Sequence, residues 1–97
     1  MSIYIQLPIV YNETYKGMIY VPVTTFDEKL IRLGLNISHF RRIKSLTQEQ
    51  LAEIVGVDRS YISKIEAPNM YTSFSMELLC KIAVALEVTE SRLFDFT

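Results

Sequence analysis

The sequence predicts a mainly α fold of five helices, preceded by a short β-hairpin or extended segment. From residue 26 onward, apolar residues recur three or four positions apart, which is the period of an amphipathic helix. Before that point the chain is rich in Ile, Val and Tyr, which favour strands. A chain of 97 residues fits one domain. We therefore predict an N-terminal segment over residues 1–24 and a helical domain over residues 25–97.

The N-terminal segment has the pattern of a hairpin. Alternating apolar residues predict a strand over residues 3–7, a polar stretch predicts a turn over residues 11–17, and residues 18–23 can form a second strand. Pro8 and Pro22 each remove a backbone donor, so these strands are expected to be short or at an edge. A two-stranded hairpin is marginally stable alone, so we expect it to pack on the helices or on a second subunit.

The first helix is predicted over residues 26–44 from a single apolar stripe. Its members are spaced four, three, four and three residues apart: Phe26, Leu30, Leu33, Ile37 and Phe40. Thr25 and Glu28 form a capping-box pattern at its start. Gly34 costs about 1 kcal/mol relative to alanine inside a helix, so a break at this residue is an alternative.

Two short helices joined by a tight turn are predicted over residues 47–66. A capping box that begins at Thr47 starts the first helix, and Gly56 can adopt the left-handed conformation that ends it. Asp58 can cap the second helix, which should end one or two residues before Pro68.

The apolar positions of this pair indicate how the second helix is held. Ala52 provides the small side chain that a close crossing of the two helices requires. Ile62 and Ile65 are predicted to face inward, which leaves the opposite side of the second helix exposed. A helix exposed in this way can enter the major groove of a DNA duplex.

A fourth helix is predicted to begin at Ser75, and a short fifth helix is predicted to be capped by Thr89. The apolar side of the fourth helix consists of Leu78, Leu79, Ile82, Ala83 and Leu86. Cys80 lies between these residues in the sequence and is predicted to be a core thiol.

Composition argues against several classes of protein. No apolar run approaches the ~20 residues that span a membrane, and the N-terminus lacks the basic region of a secretory signal. A single cysteine cannot form an internal disulfide, so we expect a cytoplasmic protein. One histidine, no glycine-rich phosphate loop and no cluster of metal ligands argue against an enzyme, a metal site or a bound cofactor.

The charge is distributed unevenly along the chain. The net charge of -1 argues against a protein that coats nucleic acid without selectivity. Residues 41–64, however, hold five basic and three acidic residues, whereas residues 67–97 hold two basic and four acidic ones. The middle of the chain therefore has the sign of charge that a DNA-contacting surface needs.

The motif LTQEQLAEIVGVDRSYISKIE, residues 46–66, carries a resemblance to a known family. In its small, glycine and apolar positions it resembles the Cro/phage-repressor helix-turn-helix family, also called the xenobiotic-response-element family, and the likeness extends over residues 33–96. The resemblance implies a repressor-like DNA-binding domain. It also implies a transcriptional regulator, a repressor, that reads double-stranded DNA sequence-specifically through the helix starting at Asp58. Such a protein is expected to act as a homodimer.

The resemblance further implies roles for individual residues. Gln48 looks like the glutamine that contacts a phosphate or the edge of the site, where a helix N-terminus favours anions. Arg59 and Ser60 lie where the family contacts bases, and Arg59 can donate two hydrogen bonds to a guanine. Lys64 lies one turn further along and could reach a base or a phosphate.

Other residues of the motif are expected at its flanks or in its interior. Ser63 lies beside the DNA-facing surface, and Tyr61 resembles a flanking residue that contacts the DNA backbone. Arg41 and Glu66 resemble the family's internal ion pair, so we assign them to structure. Residues 67–70 lack the glycine and lysine that often follow the glutamate in this family. Two alternatives follow: a lower affinity for phosphate, or a phosphate contact supplied by a different loop conformation.

Three other interpretations stay open at the level of sequence. A protein-interaction module, such as an antitoxin, would bind DNA and would also bind a protein partner through residues 1–24. A generic helical bundle would contain the same helix pair and bind no DNA. An enzyme is the third, although no nucleophile and base occur with a recognisable spacing.

Overall fold

The computed structural model of the chain describes residues 9–12, 16–20 and 26–96. In these residues the order of elements is β1 (Ile9–Asn12), β2 (Gly17–Tyr20), α1 (Phe26–Ile43), α2 (Gln48–Val55), α3 (Arg59–Glu66), α4 (Met76–Leu86) and α5 (Glu90–Leu93). The prediction of a mainly helical fold with five helices and a short N-terminal hairpin is confirmed.

The hairpin is formed by β1 and β2, which pair antiparallel with Ile9 opposite Tyr20 and Asn12 opposite Gly17. The strand predicted over residues 3–7 lies outside the described residues. Asn12 and Gly17, which we expected in the turn, are strand residues, so the connection is shorter than predicted. When these two residues pair, their backbone groups form hydrogen bonds within the hairpin, whereas in a wider turn the same groups would bond to water.

Helix α1 runs without interruption through Gly34, so the alternative of a break at this residue is wrong. A Cβ atom at Gly34 would overlap with the carbonyl oxygen of Ile65 in α3. The glycine therefore allows α1 and α3 to approach closely, and the cost in helix propensity is offset by this packing. Thr25, the proposed cap of α1, lies outside the described residues.

The core receives at least one completely buried side chain from each of the five helices. These residues are Ile37, Leu51, Ile62, Ile82, Leu86 and Leu93. The first residue of the α1 stripe, Phe26, is exposed, whereas Leu33 and Ile37 are buried. The C-terminal half of the predicted stripe is therefore the half that packs on α3, α4 and α5.

Cys80 is exposed, so the prediction of a core thiol is wrong. Its neighbour Leu79 is buried, and a rotation of 100° per residue carries position 80 past the edge of the buried sector of α4. Partial desolvation, followed by the negative charge of Glu90 and a hydrogen bond to it, raises the pKa of the Cys80 thiol. The thiol is therefore less ionised at neutral pH than a free cysteine.

Candidate nucleic-acid interface

The interface begins with α2, which is capped at both ends. The side chain of Thr47 accepts a hydrogen bond from the backbone N–H of Gln50 at 3.0 Å, and the Gln50 side chain accepts one from the Thr47 N–H at 2.8 Å. Gly56 ends the helix with φ 81° and ψ 36°, and its N–H donates to the carbonyl of Ala52 at 2.8 Å. The capping box and the left-handed glycine are both confirmed.

A three-residue turn leads from α2 into α3. Asp58 is the N-cap residue by its backbone, with φ -75° and ψ 149°, but its side chain makes no capping hydrogen bond. The expected side-chain cap is therefore wrong. The first turn of α3 is instead closed by the backbone, because the carbonyl of Asp58 accepts from the N–H of Tyr61 at 3.0 Å.

Two sides of α3 have opposite surroundings. Ile62, Ile65 and Glu66 are buried against the other helices. The side chains expected to meet DNA lie on the opposite side, where Arg59, Ser60 and Lys64 are exposed and Ser63 and Tyr61 are half-buried at the edges. Ser60 and Lys64 are four residues apart and therefore share one face of the helix. Among the residues that the structure describes, this face is not covered by another helix.

A buried ion pair fixes the end of α3 to α1. Arg41 is 7% exposed and Glu66 is 6% exposed. The Arg41 guanidinium donates from Nε to Glu66 Oε2 at 2.8 Å and from Nη2 to Oε1 at 2.9 Å. It also donates from Nη1 to the carbonyl of Leu46 at 2.7 Å. This bidentate geometry is the strong form of the arginine–carboxylate pair, and it ties α1, α3 and the start of α2 together.

Gln48 lies at the first position of α2 and joins the same network. Its Nε2 donates to Glu66 Oε1 at 3.0 Å, and the side chain is half-buried. An amide nitrogen carries two hydrogens, so Gln48 can hold Glu66 and still donate to a second acceptor outside the chain. No local sequence pattern predicts this bond, because the two residues are 18 positions apart and belong to different helices.

The loop between α3 and α4 runs back beside α3. The hydroxyl of Thr72 lies 3.5 Å from the carbonyl oxygen of Lys64, and the hydroxyl of Tyr61 lies 3.4 Å from that of Ser73. Met70 and Tyr71 in this loop are exposed. Tyr61 therefore lies between the outward face of α3 and the α3–α4 loop, which contains no lysine.

Residues 37–93, more than half of the chain, match the profile of the helix-turn-helix family. The chain belongs to this family. Its motif is α2, the turn at Gly56 and α3, which we call the recognition helix from here on. The resemblance to the Cro/phage-repressor type is confirmed by relatives of the same type.

Two relatives illustrate the likeness of this helix-turn-helix chain. The HTH-type transcriptional regulator SinR of Bacillus subtilis is 36% identical over 63 residues, which are 65% of this chain and 56% of SinR. The restriction-modification controller protein C.AhdI of Aeromonas hydrophila has a crystal structure that is similar with a TM-score of 0.61 and 34% identity. That match covers 67% of this chain and 96% of C.AhdI.

A structure of SinR in complex with DNA is also similar, with a TM-score of 0.59 and 36% identity. It covers 65% of this chain and 98% of the solved SinR chain. The helix-turn-helix chain spans just over half the length of complete SinR. The likeness therefore concerns the DNA-binding domain of SinR and not the whole protein.

Two kinds of site were sought among the residues of the helix-turn-helix chain that the structure describes, a metal-ligand group and a membrane-spanning helix. No group of three or more potential metal ligands comes together among those residues. None of the described helices is both long enough and apolar enough to cross a membrane. His39, the single histidine of the sequence, contacts the edge of the Phe40 ring, with 5.1 Å between ring centroids.

Proposed function

We propose that this chain is a transcriptional regulator, a repressor, that binds double-stranded DNA sequence-specifically and reads its operator with the recognition helix. The observation that carries the proposal is the two-sided environment of α3. Two isoleucines and a buried ion pair hold one side, while Arg59, Ser60 and Lys64 are exposed on the other. A helix held in this way presents its polar side chains to the major groove without having to rearrange.

Each exposed residue has a role that its chemistry permits. Arg59, at the start of the recognition helix, donates two hydrogen bonds to the O6 and N7 atoms of a guanine. Ser60 and Ser63 donate to or accept from neighbouring base edges or phosphates. Lys64 adds a positive charge one turn further along and contacts a base or a phosphate.

Gln48 and Tyr61 contact the DNA backbone on the two sides of the recognition helix. Gln48 is held by Glu66 and uses its second amide hydrogen for a phosphate oxygen. The first turn of α2 adds backbone N–H groups and the positive end of a helix dipole. Arg41 makes no contact with DNA in this proposal and keeps Glu66 in place. No metal or cofactor takes part in this proposal.

One recognition helix contacts only a few base pairs, so the regulator is proposed to act as a homodimer in the cytoplasm. Two copies with their recognition helices ~34 Å apart would read the two halves of a palindromic operator on one face of the duplex. Because lysine and arginine displace counterions from phosphates, the affinity should fall steeply as salt is raised.

The test is selection of a binding site from a random duplex library, followed by titration of wild type and Arg59→Ala in gel-shift assays at several salt concentrations. We expect Arg59→Ala to cost ~1–3 kcal/mol on the selected site and to relax the preference at one base pair. Lys29→Ala, which removes an exposed positive charge from the first turn of α1, is the control and should change affinity little.

Different results would revise the proposal in different ways. Equal weakening on every sequence would make Arg59 a phosphate contact instead of a base contact. If no duplex from the library is bound even at low salt, the chain is not a DNA reader and the proposal is wrong.

A second function, as an antitoxin or another protein-interaction module that also binds DNA, is favoured by one finding. SinR has been solved in a complex with the SinI protein. In this chain the proposed contact is the segment 1–24, where the described strands β1 and β2 form a two-stranded sheet that a strand of a partner can extend. Co-expression with the product of a neighbouring gene should give a complex that is lost on deletion of residues 1–24. A complex that survives this deletion would place the contact elsewhere.

A further inference from the structure

The carboxylate of Asp58 has no part in holding the fold. Asp58 is the N-cap residue of the recognition helix by its backbone, but its side chain makes no capping hydrogen bond. Its carbonyl closes the first turn instead, by accepting from the N–H of Tyr61 at 3.0 Å. The ion pairs of the described residues engage other carboxylates, those of Glu66, Glu77 and Glu87. The start of the recognition helix therefore carries an exposed carboxylate whose lone pairs are available to a partner.

Asp58 lies on the surface that is proposed to meet DNA. Together with Ser60 and Lys64, two of the proposed DNA contacts, it borders a depression of about 560 Å³ beside the recognition helix. Only two carboxylates occur over residues 57–66. Glu66 is buried and held by Arg41, so Asp58 supplies the one exposed carboxylate of this stretch.

A carboxylate at this position opposes the binding of DNA in general. It repels the phosphates of any duplex that approaches the recognition helix, whatever its sequence. The repulsion is compensated only where a base offers the carboxylate a hydrogen-bond donor. Such a group therefore lowers affinity for most sequences and keeps it for a few, which is how a repulsive element creates specificity.

We propose that Asp58 is a specificity-determining residue that accepts a hydrogen bond from the N4 amino group of a cytosine in the operator. An ionised carboxylate can only accept hydrogen bonds. At the edges that bases present in the major groove, guanine and thymine offer acceptors, whereas cytosine N4 and adenine N6 are donors. Adenine N6 lies beside the N7 acceptor of the same base, which repels a carboxylate. Cytosine is therefore the base that fits Asp58 best.

The neighbouring residue fits the same reading. Arg59 follows Asp58 in the chain, is exposed, and is proposed above to donate to the O6 and N7 atoms of a guanine. The two residues together offer one acceptor group and one donor group to the two bases of a G·C pair, or to two adjacent pairs. The inference rests on the proposed function, but it adds a contact that the proposed set does not contain.

The first measurement compares the affinities of wild type and Asp58→Ala for the selected site and for a random duplex of the same length. The affinity for the selected site should fall about 10-fold, because the contact with the cytosine is lost. The affinity for the random duplex should rise about two- to fivefold, because a negative charge has left the surface. Misfolding would weaken both. Asp27→Ala, which removes an exposed carboxylate from the first turn of α1, is the matched control and should change both affinities little.

The second measurement uses the selected site with N4-methylcytosine at the position that Asp58→Ala no longer prefers. The methyl group replaces the amino hydrogen that faces the major groove, while the other amino hydrogen keeps the base pair. Wild type should bind this duplex about 10-fold more weakly than the unmodified one. Asp58→Ala should bind both duplexes equally. The same modification at a cytosine outside the selected positions should have little effect.

A third variant separates the contact from capping. Asp58→Asn keeps the size of the side chain and can still cap a helix, but its amide can also donate. Site selection with this variant should therefore admit thymine or guanine where wild type requires cytosine.

Several outcomes would overturn the inference. Identical base preferences for wild type and Asp58→Ala, a fall in both affinities, or a lost preference for adenine instead of cytosine would each show that Asp58 does not read a cytosine. In all three cases wild type still binds its selected site, so the proposed function stands. If wild type binds no duplex, the proposed function is wrong and this inference is wrong with it.

Discussion

Helices α2 and α3 have the same length of eight residues but are held in different ways. Helix α2 is closed by its sequence neighbours, with a capping box at Thr47 and a left-handed glycine at its end. Helix α3 has no side-chain cap at Asp58 and depends on residues that contact other helices, above all Glu66. The comparison indicates that the supporting helix is stabilised locally, whereas the recognition helix is positioned by tertiary contacts.

The largest effect on stability is expected when the buried ion pair that fixes α3 to α1 is broken. Glu66→Ala would leave the guanidinium of Arg41 buried without its carboxylate, and such a loss typically costs ~3–5 kcal/mol. Urea denaturation of the variant should show this decrease in the free energy of unfolding. The double variant Arg41→Met with Glu66→Met is the control. It should recover much of the loss, because no unpaired charge remains. Equal instability of both variants would mean that shape, and not charge, fixes α3.

A smaller effect is expected where α1 crosses α3. Gly34→Ala improves helix propensity by ~1 kcal/mol, but its Cβ would overlap with the carbonyl oxygen of Ile65. Overpacking of this kind costs ~1–3 kcal/mol, so we expect a lower melting temperature. Leu35→Ala, at an exposed neighbouring position on α1, should change the stability much less. A rise in melting temperature for Gly34→Ala would show that α3 can move away from α1 without cost.

The caps provide the direct comparison between the two helices. Thr47→Ala removes the hydrogen bond that the Thr47 side chain accepts from the Gln50 N–H, which is one of the two bonds of the capping box, and it should cost ~1 kcal/mol. Asp58→Ala removes no capping hydrogen bond, and we expect a change below ~0.5 kcal/mol. Thermal unfolding of the two variants under identical conditions measures the difference. Equal losses of stability would contradict the distinction between α2, which is stabilised by its own caps, and α3, which is positioned by contacts with other helices.

The smallest effect is expected for a tertiary contact that stays in water. Lys44 Nζ lies 2.6 Å from Glu87 Oε1, and this hydrogen bond and charge lower the pKa of the Glu87 carboxyl. The pair therefore stabilises the fold above the ordinary carboxyl pKa, and the effect is lost as pH falls through the lowered value. Lys44→Met should be slightly less stable than wild type at pH 7 and equal to it at strongly acid pH. A difference that persists in acid would assign the effect to packing of the lysine stem.

Much of the helical fold could be predicted because its signals are local. The spacing of apolar residues, the capping box at Thr47 and the glycine at position 56 depend on neighbours within four or five positions. The start of α4 at Ser75 follows the same rule, since its side chain accepts a hydrogen bond from the N–H of Leu78. The outward position of Arg59 followed from the inward positions of Ile62 and Ile65.

Errors arose where a residue's environment depends on another element. Asp58 has the residue type of a cap but makes no capping bond. Cys80 is a different case, because it lies among apolar neighbours in the sequence, whereas the rotation of 100° per residue turns it out of the buried sector of its own helix. Helix propensity alone does not predict the role of Gly34, because that role depends on the backbone of α3. Periodicity places a residue on one side of its own helix but does not say where the neighbouring helix stops.

By itself the sequence determined which segments are helices, where α2 begins and ends, and which side of the recognition helix is apolar. These properties are decided by hydrogen bonds and side-chain periodicity within single turns of the chain. Only the tertiary structure decided that Gln48 and Arg41 both donate to the Glu66 carboxylate and that Gly34 allows the close approach of α3. It also decided that the outer side of α4 is apolar and exposed. Such contacts join residues far apart in the chain, and their geometry exists only once the helices have packed.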